Sequence, residues 1–600
     1  MKPRPSKRAA IAFGIGAAAL ITAAAFAQES LLPPGFGLQP GPTSRQQPAA
    51  PAPSQPTAQP GATPAPAAAP SLGLDPSIFA AAEAGNPADK QLELPDSARR
   101  SVAMVGPFAG FGPQAWGDTN GRFLASMMRR LDAPIASRWA SITLRRALLT
   151  RVPAPDRVAA PDWVAERAWL LLRMGEADGA RMLVQGVDVD RFNAKLYAVA
   201  GQSALATADA AGLCPIADGG AIRSREPIWP LARAICAALS GDTAIAGVLI
   251  DQARRRTSES QGIDVQLAER MMGVNGAGQR SVTIEWTGVN QLTAWRFGMA
   301  SALGLTIPSD LLGTVGPQVV AWSARAPMVP ASERLDAAMT AARLGVFSNS
   351  ALVDLYAQAA DEGSEITSET PAGRLRACYV SDGDGARIAA MRGFWTGEGR
   401  SQEQGVDRYG GLILTARAAA RITPDNDHAS EAADLIASMM SAGLDRKAAA
   451  WAPIVSAMSK EEGDPAWAIL AVGTPKVSVD LSADRLSGVA ERWADEKPQK
   501  VKLLLGALAG LDRMQTQDQM QLLVDYQVGF DNRSNWARFL LQAADRKEPA
   551  TVALLVAAGL QKMSWAQVSP AMFATMIRAL HDVGLDGEAR MIAAEAMSRL

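Results

Sequence analysis

Two stretches of this chain align on each other without a gap: PDWVAERAWLLLRMGEADGARMLVQGV at 161–187 and PIWPLARAICAALSGDTAIAGVLIDQA at 227–253. Pro161/Pro227, Trp163/Trp229, Arg167/Arg233, Ala168/Ala234, Gly175/Gly241, Ala180/Ala246 and Leu183/Leu249 coincide at an offset of 66 residues. Each stretch reads as helix, turn, helix. Proline opens the first helix, where its missing backbone donor does no harm. Ala165, Ala168, Trp169 and Leu172 form an i, i+3, i+4, i+7 stripe, repeated by Leu231, Ala234, Ile235 and Ala238. Gly175 or Gly241 then supplies a left-handed residue that ends the helix. The second helix carries Ala180, Leu183, Val184 and Val187, or Ala246, Leu249, Ile250 and Ala253. Small side chains beside the turn let the two helices approach closely.

The offset is about twice a 33- or 34-residue helical repeat. With Trp163, Gly175 and Ala180 answered by Trp229, Gly241 and Ala246, the hairpins resemble the tetratricopeptide-type α-solenoid, whose repeats pair Gly at the turn with Ala in the second helix. The family's Leu-Gly and Tyr positions in the first helix are not matched, so the likeness is one of architecture. It implies an all-α fold of stacked helix–turn–helix repeats with a curved surface for a protein or peptide partner. A looser echo closes the chain: Phe573, Met576, Ile577 and Leu580, then Gly584, then Ala589, Ile592, Ala593 and Ala596. Composition agrees, since about one residue in five is alanine and aromatic residues make up only 6%, a balance that favours close-packed helices over sheets.

The N-terminus has a different character. MKPRPSKRAAIAFGIGAAALITAAAFAQES sets a basic head before an apolar stretch and Ala25-Phe26-Ala27, the layout of a secretory signal peptide cleaved between Ala27 and Gln28. The alternative is an uncleaved anchor, since Ala9–Ala27 is uncharged and barely long enough to span a bilayer. Residues 28–76 follow as a Pro/Ala-rich linker; Gln47–Pro70 holds eight prolines and no charge or aromatic ring. Such a segment cannot offset its ordering entropy and is expected to be disordered. Its reach would be about 40 to about 140 Å, depending on stiffness. In composition alone it resembles antifreeze glycopeptide polyproteins, whose Ala-Ala-Thr tripeptide is not repeated here.

Length excludes a single ordinary core. The body is expected in two or three lobes: an N-terminal helical-repeat lobe over 77–275, a middle helical segment over 290–368 and a C-terminal helical-repeat lobe over 385–600. Interruptions are expected at 273–290, where Val282, Ile284 and Trp286 alternate as in a short strand, at 368–387 and at 473–484.

Few residues offer chemistry. The chain has two histidines, His428 and His581, neither with a Cys or His at metal-ligand spacing, so no zinc site of the usual kinds is expected. Helix-end positions suit both. SDGDGAR (381–387) begins like a calcium loop but lacks the bidentate Glu at position twelve; a capped turn is the plainer reading. GVNGAGQR (273–280) lacks the flanking elements of a phosphate loop. Glu259, followed by GAG at 276–278, invites comparison with soluble lytic transglycosylases, which this chain resembles in helical style. Their Gly-Leu-Met-Gln stretch and downstream aromatic site residues are missing, which leaves Glu259 as a solvated loop carboxylate. No catalytic, cofactor-binding or metal-binding residue is therefore nominated.

Export to an oxidising space favours a disulfide between Cys214 and Cys236, 22 residues apart on neighbouring elements; two buried thiols are the alternative. Cys378 is expected to be buried and inert. The fourteen tryptophans are expected as wedges between helices, with a ligand-stacking platform as the alternative. Removing residues 1–27 leaves 55 basic against 60 acidic side chains, which gives no electrostatic case for nucleic acid as a partner. The expectation is an exported, periplasmic scaffold that binds an envelope protein or peptide without catalysis, touching membrane only if the signal segment is uncleaved. The alternatives are a peptidoglycan-acting envelope enzyme or its accessory factor, and a structural spacer without a specific ligand.

Overall fold

The computed structural model describes residues 100, 102–224, 226–256, 262–274, 282–363, 367, 369–396, 407–561 and 564–600. The expected signal segment with Ala27 and Gln28, the expected linker, Glu259 and GAG 276–278 lie outside these residues. Within them the chain is all-α. Strand-like pairing among the described residues is limited to isolated bridges, Val105 with Val152, Phe108 with Thr150 and Ile135 with Gln561. No helix among them is long and apolar enough to cross a membrane.

One backbone device recurs at the joints between helices. Gly175 has φ +90°; its N–H donates to Leu172 O at 3.0 Å, and the next N–H, of Glu176, donates to Leu171 O at 2.9 Å. This is the Schellman cap, in which two orphaned carbonyls are satisfied as the chain reverses. The same pair of bonds recurs at Gly241, Gly304, Gly345, Gly443 and Gly584. It also recurs at four residues that carry a Cβ, Ala208, Asp512, Gln527 and Lys547, with φ between 53 and 58°. Helix Ala160–Arg173 thus turns into Ala177–Val184, Ile228–Leu239 into Thr243–Arg256, and Pro570–Asp582 into Asp586–Arg599.

The expected stripes face inward. Trp163, Ala165, Ala168, Trp169 and Leu172 are buried, as are Leu231, Ala234, Ile235 and Ala238. Trp229 is fully enclosed, its indole set in a slot where a Cβ on Gly220 would come within 2.6 Å of the ring and one on Gly201 within 3.0 Å. Phe573, Met576, Ile577 and Leu580 pack inward from one closing helix, and Ala589, Ile592, Ala593 and Ala596 from the other.

Three interruptions were expected along the body, and they differ. Residues 282–286 form neither helix nor strand; Ile284 and Trp286 rest against the core while Thr283 and Glu285 face solvent. The alternation therefore marks one-sided docking of a single segment. Residues 474–482 are irregular, as expected. Much of 368–387, by contrast, is helical: Thr370 caps the helix Pro371–Val380, and Gly383, with φ +77°, leads into Gly383–Thr396. The Gly and Asp residues there serve a tight joint between helices.

The hydrophobic core runs without a break from Val105 to Met597. Helix Ala294–Ala302 packs on Ala194–Ala206, across the segment 275–290, and Ala331–Leu344 packs on Arg408–Ala419. The chain also closes on itself. Helix Arg138–Leu149, near the start of the described body, packs on Pro549–Gly559 and Asp586–Arg599 at its end. Along this seam Ala550 N donates to Ala115 O at 2.9 Å and Ala136 N to Leu560 O at 3.0 Å. Arg599 donates to Ala136 O at 2.7 Å, and Arg146 pairs with Glu588.

Candidate functional site

The residues singled out in the sequence fall into two structural roles. Trp163 and Trp229 are core wedges; Trp163 meets Trp116 edge-on with ring centroids 5.2 Å apart. Gly175 and Gly241 are the turn caps, and Ala180 and Ala246 are the small buried contacts behind them. The equivalence of Arg167 and Arg233 ends at the backbone. Arg233 is exposed and pairs with Asp218 at 2.8 Å. Arg167 is fully buried and donates to three carbonyls, Leu148, Val105 and Thr150, at 2.8, 3.0 and 2.6 Å. It gathers the N-terminal segment onto its helix. Burial pushes its guanidinium down to about 9, still protonated at neutral pH.

The Sγ atoms of Cys214 and Cys236 stand at bonding distance, 2.08 Å, with Cα atoms 5.3 Å apart. The pair ties the start of helix Cys214–Arg223 to the middle of Ile228–Leu239. Cys378 is buried, and burial pushes its thiol up to about 12. His428 sits in the short 3-10 helix Asn426–Glu431, capped by Asp425. His581 ends Pro570–Asp582, with Nδ1 3.1 Å from Asp586 Oδ1. Asp384, in the first turn of Gly383–Thr396, pairs with Arg387 and accepts from Thr423 N, which ties that turn to the loop after Arg408–Ala419. Among the described residues no group of three or more His, Cys, Asp or Glu is placed to hold a metal ion.

The deep carboxylates hold helices together. Asp464 accepts from Arg485 at 2.6 Å and from Arg492 at 2.7 and 3.0 Å. Glu166 takes Arg129 and Lys195, and Asp264 takes Arg296 at 2.8 Å. Glu176 takes Arg145 at 2.7 Å; burial still pushes its carboxyl up to about 6 against that charge. Glu595, from the last helix, caps a helix at the other end of the chain. It accepts from Ser137 Oγ at 2.6 Å, Arg138 N at 2.9 Å and Trp139 N at 3.2 Å, its negative charge set at the positive end of Arg138–Leu149. Arg138 in turn donates to Ala342 O at 2.8 Å and Phe347 O at 3.1 Å. Tyr409 is buried beside Glu595, and burial, then that carboxylate, holds its phenol well above the usual range.

The concavity that could take a ligand lies elsewhere. Phe530, Asp531, Asn532, Arg533, Ser569 and Ala571 line an open groove of about 410 Å³. Its floor is fixed by the segment 528–531 lying along the first turn of Pro570–Asp582. Asp531 N donates to Thr575 Oγ1 at 2.8 Å, and Val528 is buried. Phe530 remains 43% exposed, and Met520 and Val524 on helix Gln517–Asp525 are exposed as well. Burial of Asp531 is outweighed by hydrogen bonds from Ser534 and from the Arg533 N–H, which hold its carboxyl below the ordinary range. An apolar ring beside a fixed carboxylate and an exposed guanidinium suits a short peptide: one pocket for a side chain, with polar groups to set register. Nothing in the sequence marked this groove, because its residues are ordinary loop residues brought together by the hairpins around them.

The structure therefore defines an all-α protein of paired helices closed end to end. No protein-family model matches the chain, and searches of curated proteins and of solved structures return no match.

Proposed function

We propose that the chain is an exported helical-repeat scaffold, tetratricopeptide-like in its hairpins, that binds a protein or peptide of the cell envelope without catalysis. The groove at Phe530 carries this reading, since it sets an exposed aromatic ring beside Asp531 and Arg533 on a floor held by backbone hydrogen bonds. Two further features support it. The deep carboxylates are taken up by arginine, lysine and backbone donors in helix packing, and the Cys214–Cys236 pair suits an oxidising compartment. Cleavage after Ala27 would release the body into the periplasm on its proline-rich leader.

The test is a pull-down from envelope extracts with the mature chain and with Phe530→Ala and Arg533→Glu variants. The reading expects a specific partner retained by the parent chain and lost from both variants at unchanged thermal stability. Turnover of purified cell-wall sacculi that disappears when one carboxylate is replaced would overturn it in favour of an enzyme. Equal phenotypes from deleting Gln47–Pro70 and from replacing groove residues would favour a spacer.

A further inference from the structure

What the Phe530 groove can select follows from which of its polar atoms are already engaged. Asp531 presents a carboxylate, yet its own turn occupies both oxygens. Oδ1 accepts from Arg533 N and Ser534 N, each at 3.1 Å, and Oδ2 from Ser534 Oγ at 2.7 Å. Three donors therefore offset its charge where it stands. The hydroxyl of Ser569 is turned to its own helix, accepting from Met572 N at 3.5 Å, and Ala571 O accepts from Asp531 N at 3.3 Å. Two lining side chains remain for a ligand. Among the described residues neither the Arg533 guanidinium nor the Asn532 amide has a hydrogen-bond or ion-pair partner, and both residues are exposed. A guanidinium donates only, and two of its N–H groups match the two oxygens of a carboxylate.

Phe530 to Arg533 are consecutive, and the bonds to Asp531 pin them in one turn, so apolar ring and cation are held at short range. The groove, about 410 Å³, lies near the small end of the range for ligand pockets. A ligand must then carry its apolar group and its anion close together. In an extended peptide, neighbouring side chains point to opposite faces, so an internal apolar–acidic pair cannot send both groups into one small groove. The C-terminal residue differs, because its side chain and its carboxylate stand on the same Cα.

Resting on the peptide-binding reading of this groove, we propose that it captures the C-terminal residue of a partner chain, with an apolar side chain against Phe530 and the α-carboxylate on the Arg533 guanidinium. The Asn532 amide donates beside it.

The test is saturation-transfer NMR on the full chain with three probes: acetyl-Ala-Ala-Leu as the acid, the same peptide as its C-terminal amide, and acetyl-Ala-Ala-Ser as the acid. The leucine acid should bind at least about tenfold more tightly than its amide and several-fold more tightly than the serine acid, with the strongest transfer to the leucine methyl groups. Arg533→Gln should erase the preference for acid over amide, and Arg533→Lys should keep part of it. Phe530→Ala should weaken the leucine acid and its amide alike. Equal affinity for acid and amide, or a preference that survives Arg533→Gln, overturns the proposal; if Phe530→Ala still weakens both peptides, the groove remains a peptide site without a rule for chain ends. Saturation of none of the three probes overturns the proposal as well, and the envelope pull-down with Phe530→Ala then judges the peptide reading by itself.

Discussion

Glu176 shows how a single buried charge shapes the stability of this fold. Its carboxyl is raised from 4.5 to about 6 because burial outweighs the attraction of Arg145. The folded chain therefore holds a proton more tightly than the unfolded chain between these values. Stability from this group is fully present below about pH 4.5 and is lost as pH rises through about 6, the reverse of a surface carboxylate. The amount is on the order of 2 kcal/mol. Urea titrations of Glu176→Gln against the parent chain should show a flatter profile between pH 4.5 and 6; an unchanged slope would assign the titration elsewhere. Arg167 makes the complementary point. It was visible as a repeat position, but its three carbonyl bonds, to Val105 and to the end of Arg138–Leu149, depend on contacts that Arg233 does not make.

Between elements, the recurring joint is the Schellman cap, and its left-handed residue sets a measurable preference. A Cβ at Gly175 would sit 3.2 Å from both Ala321 Cβ and Val346 Cγ2 at φ +90°. Gly175→Ala should cost about 1–2 kcal/mol from backbone strain, more if those neighbours cannot move. Ala208 occupies the same conformation at φ +53°, so Ala208→Gly should raise the unfolding free energy from urea titration by about 0.5–1 kcal/mol. Opposite signs at equivalent joints are the decisive outcome. The disulfide acts at this scale as well: Cys214→Ser with Cys236→Ser should lose about 3 kcal/mol through a looser unfolded chain. These joints were legible because glycine, apolar stripe and proline lie within a few residues of one another. The helix Pro371–Val380 was not, because the Gly and Asp residues around it read as loop formers unless the Thr370–Pro371 start is weighed with them.

At the scale of the whole molecule, the closure through Arg138–Leu149 decides how the fold comes apart. Glu595 lies 458 residues from Ser137, whose hydroxyl it accepts, and in sequence it is one more glutamate on an amphipathic helix. No local pattern could announce the contact; only the assembled fold brings a carboxylate to that helix start. Glu595→Ala leaves those donors unsatisfied and should cost about 3 kcal/mol. Hydrogen exchange gives the sharper prediction. Deleting 586–600 should strip protection from residues 138–149, whereas in an open array the far end would keep it.

An open stack of repeats can gain or lose a unit at either end and remain a stack. Once its first and last turns interlock, length becomes a matter of fit, as with staves in a hoop. Duplicating a hairpin inside such a body would force Glu595 away from Arg138 and unlatch both ends at once. Variation in size is therefore expected outside the hoop, before residue 100 and in the surface loops, while the number of helices within it stays constant.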